Sequence, residues 1–244
     1  MLNQSTICPH CDDTGFVMKA DRAHRCECRL RARAQRLLSM ASTPDRYRGC
    51  TLSQFEASLY GRSQALAQAR IAARRLIENY PVEQTGLLLQ GSIGVGKTHL
   101  AVAILQELIS SKGAKGLFYD YRELLKAIQQ TYNPESHTSE MEILSPVFEA
   151  DVLLIDELGA TKPTEWVLDE IGLILNGRYN SRRTTILTSN FTLAAPEIET
   201  GKTFRQEVLP DRVGARIASR IQEMCVTVSM EGQDLRQKRR AVNQ

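Results

Sequence analysis

Residues Gly91, Ser92, Ile93, Gly94, Val95, Gly96, Lys97 and Thr98 read GSIGVGKT, a full match to G-x-x-x-x-G-K-[ST]. Those residue types in that order suit one task. Glycines let the backbone wrap so that its N–H groups face phosphate oxygens. The lysine adds a cation at the β- and γ-phosphates, and the hydroxyl after it can ligate Mg²⁺. The flanks agree. Gly86 to Gln90 (GLLLQ) is a short apolar run that predicts a strand, and Thr98 to Ile109 (THLAVAILQELI) predicts an amphipathic helix. Strand, loop and helix in that order are the setting in which this string binds nucleotide. A glycine-rich turn without a ligand is the competing reading, and the flanks count against it.

A second set of residues lies about 60 positions further on. DVLLID (151–156) is a continuous apolar run ending in acid, as expected of a strand buried on both faces. It delivers Asp156 and Glu157 to the carboxyl end of a sheet, where ligands of open α/β folds sit. Asp156 suits the organisation of Mg²⁺, directly or through water. Glu157 suits the base that polarises an attacking water. A water-polarising acid also argues against a small-molecule kinase, where a substrate hydroxyl takes the water's place. TTILTSN (184–190) predicts another buried strand, with Asn190 at its end, placed to orient water at the γ-phosphate. A lone Asn after a strand is otherwise a turn residue. Arg212, Arg216 and Arg220 recur every four residues in DRVGARIASRI, which would put them on one helix face. Such arginines either act in trans on a neighbour's γ-phosphate or form a solvated basic face.

Cysteine supplies the third chemistry. Cys8, Cys11, Cys26 and Cys28 follow C-x2-C-x14-C-x-C. Four thiolates close a tetrahedral Zn²⁺ shell. CPHCDDTGF looks like half of a zinc ribbon, but C-x-C is tighter than the usual second pair. His10 and His24 stand close enough in sequence to replace a ligand. A segment this poor in aliphatics cannot fold on apolar burial alone, so metal would supply the missing energy. A tail with free thiols is the alternative. Cys50 and Cys225 stand alone and read as packing residues.

The surrounding elements must hold these groups in place. The chain has 244 residues, enough for one ATPase-sized core and a small appendage. Its net charge of +3 says little, but residues 19 to 48 concentrate nine Lys and Arg against three acids. From Arg29, RLRARAQRLLSM predicts a basic helix, suited to nucleic acid, to an acidic protein face, or to a solvated linker. Ser42-Thr43-Pro44 would break it, which places a boundary near residues 40 to 48. Residues 62 to 79 predict a helix ended by Pro81, 116–121 a strand leading into a helix through Ile128, 133–140 a polar loop, 163–180 a helix opened by Pro163, and 224–230 a final strand. Repeated βα units imply a parallel sheet with helices on both faces. No apolar run approaches the ~20 residues that span a bilayer. The N-terminus lacks the pattern of a secretory signal, so reduced cysteines and a cytoplasmic location are expected.

GSIGVGKTHLA, VLLIDELG, ILTSN and RVGARIASRI, in this order, resemble the AAA+ ATPases of the DnaC/DnaI helicase-loader and IstB group, over roughly residues 47 to 230. The resemblance implies a five-stranded ASCE sheet, ATP and ADP as ligands, and hydrolysis with Mg²⁺. It implies that His99 joins the nucleotide-binding set and that residues near Tyr47 and Phe55 border the adenine. Asn190 would be sensor 1. RVGARIASR resembles the family's arginine-finger segment, with Arg220 the first choice and Arg216 the second. No helical lid is expected after the last strand. Residues 1–45 would form a zinc-binding module that grips a replicative helicase, and residues 46–244 the ATPase domain, which self-associates through its ATP site. Single-stranded DNA contact is implied, with Arg178, Arg182 and Arg183 as candidates beside Tyr179. Helicase loading is the leading reading. A transposition helper acting on target DNA and a nucleotide-gated adaptor with negligible turnover are the others.

Overall fold

Leu87 and Leu89 enter one apolar core and Leu88 enters another, because successive side chains of a strand point to opposite faces. The same alternation separates Val152 and Leu154 from Leu153 and Ile155, and Ile186 from Leu187. A sheet clad on both faces follows. The structure is a computed structural model and describes residues 7–19, 21–56, 64–194, 207–232 and 234. The expected helix start at 62–63 and the C-terminal basic tail from Leu235 lie outside the described residues.

The elements are β1 (Phe16–Lys19), β2 (Arg22–Arg25), α1 (Glu27–Met40), α2 (Leu52–Glu56), α3 (Gln64–Asn79), β3 (Gly86–Gly91), α4 (Lys97–Lys112), β4 (Gly116–Asp120) and α5 (Tyr121–Thr131). After them come α6 (Glu140–Glu149), β5 (Val152–Asp156), α7 (Glu165–Asn180), β6 (Thr184–Ser189), α8 (Leu209–Val213), α9 (Ala215–Met224) and β7 (Cys225–Met230). β1 and β2 pair antiparallel. The five others form a parallel sheet in the order β4-β5-β6-β3-β7. No described helix is long and apolar enough to cross a membrane.

Several local expectations need correction. α7 is opened by Thr164, whose hydroxyl accepts the N–H of Val167, and Pro163 stands before that cap. α6 lies within a stretch with no predicted element; its signal is the S-x-x-E capping box of Ser139 and Glu142. The basic helix is not a solvated linker. Its last turns lay Leu37 and Leu38 on the core, Ala41 is fully buried, and the Ala41 carbonyl accepts the Phe118 N–H of the edge strand β4. The arginines do not share one helix. Gly214, at φ +84 and ψ 145, separates α8 from α9, so Arg212 falls on one helix and Arg216 and Arg220 on the next.

Candidate nucleotide site and metal centre

The phosphate loop joins β3 to α4. Gly91, Gly94 and Gly96 adopt φ of +126, +78 and +98, a region that β-carbons disfavour. The loop shape therefore depends on their glycine identity. Ser92 donates its N–H to the Met230 carbonyl at the end of β7, which anchors the loop's entry. Val95 is buried beneath the loop and Ile93 is exposed at its tip. Lys97 opens α4 and lays its ammonium on the Gly91 and Ser92 carbonyls at 2.9 and 2.7 Å. The same helix N-terminus favours anions.

β6 lies between β3 and β5, so its carboxyl end separates the phosphate loop from the acids. Thr98 Oγ1 crosses that gap and donates to Asp156 Oδ1 at 2.9 Å. Burial pushes the Asp156 carboxyl above its ordinary range; the hydroxyls of Thr188 and Thr98 pull it down, while the charges of Glu157 and Asp120 push it up. A divalent cation would relieve that cost. The oxygen donors Thr98 and Asp156 fit Mg²⁺, a hard ion held by few protein ligands plus substrate phosphate. Glu157 follows at φ +58, with its carboxylate 3.9 Å from the Arg122 guanidinium. Asn190 is exposed immediately after β6. Lys97, Thr98, Asp156, Glu157 and Asn190 thus gather at the carboxyl ends of three neighbouring strands. On the other flank of α4, His99 Nδ1 lies 3.4 Å from Cys50 Sγ, and its ring centroid is 6.3 Å from that of Phe55. The Tyr47 carbonyl accepts from Gln106 of α4, so the lead-in segment is fastened beside the same helix.

The arginines separate by depth. Arg212 is buried, donates to the Gly159 and Thr161 carbonyls, pairs with Glu207 and stacks on Phe191. It braces the loops after β5 and β6. α9 descends toward Cys225, which pairs with Gly86 at the amino edge of the sheet. Its first turn, with exposed Arg216, therefore lies toward the nucleotide edge. Arg220 is one turn further away, its guanidinium 5.7 Å from the Tyr179 ring. Arg178, expected as a DNA contact, is fully buried and bonds the Val147, Ala150 and Thr184 carbonyls and Thr185 Oγ1. Arg183 pairs with Asp151, and Tyr179 donates to Glu223. These residues lie before the start of β6, at the end of the sheet opposite Asn190. The signal for Arg178 is Thr185 in a buried strand, because a buried hydroxyl needs a partner.

The four thiols converge. Cys8, Cys11, Cys26 and Cys28 Sγ atoms lie within 4.8 Å of one another, with Cys8–Cys26 at 3.8 Å and Cys11–Cys28 at 3.4 Å. A tetrahedron with Zn–S bonds of about 2.3 Å has edges of roughly 3.8 Å, so the donor set fits Zn²⁺. The tight C-x-C spacing has a local cause: Cys26 is the N-cap of α1 and Cys28 sits in its first turn. That helix end also favours thiolates. His10 and His24 are exposed, and the cluster holds cysteines alone. Cys50 and Cys225 are buried, as their packing role requires.

The family model for IstB-like ATP binding proteins matches residues 9–243. The chain belongs to this family. It is 27% identical over 156 residues to the replicative helicase loader DnaC of Escherichia coli K12, a match covering 64% of this chain and 61% of that one. It is 33% identical over 156 residues to the replicative helicase loader DnaI of Bacillus subtilis, covering 62% of this chain and 47% of that one. The chain thus spans less than two thirds of the length of these curated relatives. A crystal structure of the DnaC helicase loader superposes with a TM-score of 0.64 at 28% identity, covering 77% of this chain and all of that one. As a member of this family the chain is an ATP-binding AAA+ protein.

Proposed function

We propose that this protein is a Mg²⁺-dependent ATPase that loads a replicative DNA helicase onto single-stranded DNA. The observation that carries the reading is one chain combining two parts. One is a hydrolytic constellation of Lys97, Thr98, Asp156, Glu157 and Asn190. The other is a four-thiol module braced on the phosphate-loop helix. Similarity to two proteins named helicase loaders supports the task. On this reading residues 1–45 bind the helicase, with Zn²⁺ on Cys8, Cys11, Cys26 and Cys28, and residues 46–244 bind ATP, self-associate and touch single-stranded DNA in the cytoplasm. α1 packs on α4, so the thiol module and the phosphate loop are joined through one helix pair.

The residues divide the work. The loop backbone and Lys97 bind the phosphates, with Tyr47, Phe55 and His99 beside the base. Mg²⁺, when bound, supplies charge neutralisation on the β- and γ-phosphates. Thr98 and Asp156 hold its shell. Glu157 polarises water that Asn190 orients, and an arginine from a neighbouring subunit steadies the γ-phosphate. Nucleotide state then acts as an assembly and release switch.

Glu157→Gln is expected to lower turnover by about 10²-fold or more while leaving ATP binding intact. A wild-type protein that hydrolyses nothing, even with DNA and helicase, would sink the ATPase reading in favour of a nucleotide-gated adaptor. Chelation is expected to release one Zn²⁺ per chain and open residues 8–28 to protease, with loss of helicase binding. A chain purified without zinc, or one that keeps its helicase after chelation, contradicts that role. The family description also favours a second reading, an IstB-type transposition helper, because the matched region includes Cys11, Cys26 and Cys28. Stimulation of a transposase, with no complex formed with a replicative helicase, would select it.

A further inference from the structure

β6 ends in two buried hydroxyls, Thr188 and Ser189, at 1% and 0% exposure. A buried hydroxyl is costly unless bonded. Thr188 Oγ1 donates to Asp156 Oδ1 at 2.6 Å and accepts the Glu157 N–H at 2.9 Å. Its carbonyl accepts the Leu158 N–H at 2.8 Å, and Ser189 Oγ donates to the Leu158 carbonyl at 2.9 Å. Residues 156–158 are therefore bolted to two consecutive residues of the sensor strand. Glu157 needs such support. Its φ of +58 lies in the left-handed region that L-residues disfavour. A hydroxyl has one proton and two lone pairs. Thr188 commits the proton to one acid and a lone pair to the backbone of the next. Thr98 also donates to Asp156 Oδ1, which leaves Oδ2 as the oxygen for a cation's shell.

We propose that Thr188 is a positioning residue of the hydrolytic site, coupling the acid that organises Mg²⁺ to the acid that polarises water. The proposal rests on the ATPase reading for its turnover effect and on nucleotide binding alone for its Mg²⁺ effect. Removing the hydroxyl frees the Asp156 carboxylate to rotate and leaves the Glu157 N–H unpaired.

The test compares Thr188→Val, which keeps the shape, with Thr188→Ser, which keeps the hydroxyl. Affinity for a fluorescent ADP analogue is measured in chelator and across a Mg²⁺ titration, and steady-state hydrolysis is measured alongside. Thr188→Val is expected to bind the analogue in chelator within about twofold of wild type. It should need about tenfold more Mg²⁺ for half-maximal tightening and show kcat lowered at least about tenfold with KM little changed. Thr188→Ser should stay within about threefold of wild type in both. If Thr188→Val unfolds, Thr188→Cys, whose thiol donates weakly, must show the same Mg²⁺ shift. A wild-type Mg²⁺ midpoint in the hydroxyl-free variants overturns the proposal. So does a Thr188→Ser variant as impaired as Thr188→Val, since shape alone would then be at stake. A wild type without turnover removes the ATPase reading, and the Mg²⁺ midpoint still judges Thr188.

Discussion

Replacing Arg178 with methionine is expected to destabilise the core by about 3 kcal/mol or more, since three buried carbonyls would each lose a donor and each such loss costs at least roughly 1 kcal/mol. The guanidinium reaches the Val147 and Ala150 carbonyls at 2.8 and 3.0 Å, the Thr184 carbonyl at 2.6 Å and Thr185 Oγ1 at 3.0 Å. It ties the ends of α6 and α7 to the first residues of β6. Burial lowers its pKa to about 9, so it stays charged at neutral pH and its donors remain in place. Lysine offers one ammonium where a planar fork is needed, so Arg178→Lys should recover only part of the loss. Urea unfolding measures the free-energy loss, and thermal unfolding should show a fall in melting temperature of about 10 °C for a chain of this size. A variant within 1 kcal/mol of wild type that instead loses DNA binding would return Arg178 to the nucleic-acid surface.

Arg216→Ala is expected to lower turnover by about 10³-fold with nucleotide affinity nearly unchanged, the scale of effect of an arginine supplied in trans. Its position supports it for the finger ahead of Arg220: it is exposed on the turn of α9 nearest the nucleotide edge, whereas Arg220 rests on Tyr179. Arg220→Ala should cost less than about tenfold in turnover and a stacking contact worth about 0.5–1 kcal/mol. Mixing sharpens the comparison. Arg216→Ala keeps a sound Glu157, and Glu157→Gln keeps a sound arginine. An equimolar mixture of the two should hydrolyse ATP faster than either alone, because mixed interfaces restore complete sites. Full turnover in Arg216→Ala, or a mixture no better than its parts, would reject the assignment.

Some of this was legible in the residues and some was not, and the division follows sequence distance. The phosphate loop is a string of eight residues whose backbone demands act locally, so glycine spacing announces it. The apolar run of β5 reports its own burial and delivers its acid to one end. The four cysteines announce a thiol cluster, and the tight C-x-C spacing is explained by Cys26 standing at the N-cap of α1. α6 has a local signal too, the capping box of Ser139 and Glu142. Arginine is where pattern failed. A four-residue repeat placed Arg212, Arg216 and Arg220 on one face, yet Gly214 splits the helix and burial takes Arg212 inside. Nothing local marks Arg178 as buried, because its acceptors come from carbonyls about 30 residues upstream and from the next strand.

What the sequence determined by itself was chemistry whose partners are near in the chain: phosphate binding, an acid pair at a strand end, a thiol cluster, and a parallel α/β sheet. Only the tertiary structure decided which cations are free to act and which hydroxyl aligns the acids. The reason is physical. A charged or hydroxyl side chain has no fixed role until burial sets its cost and a distant segment supplies its partner, and strand order β4-β5-β6-β3-β7 is what brings Thr188 and Thr98 onto the same oxygen of Asp156.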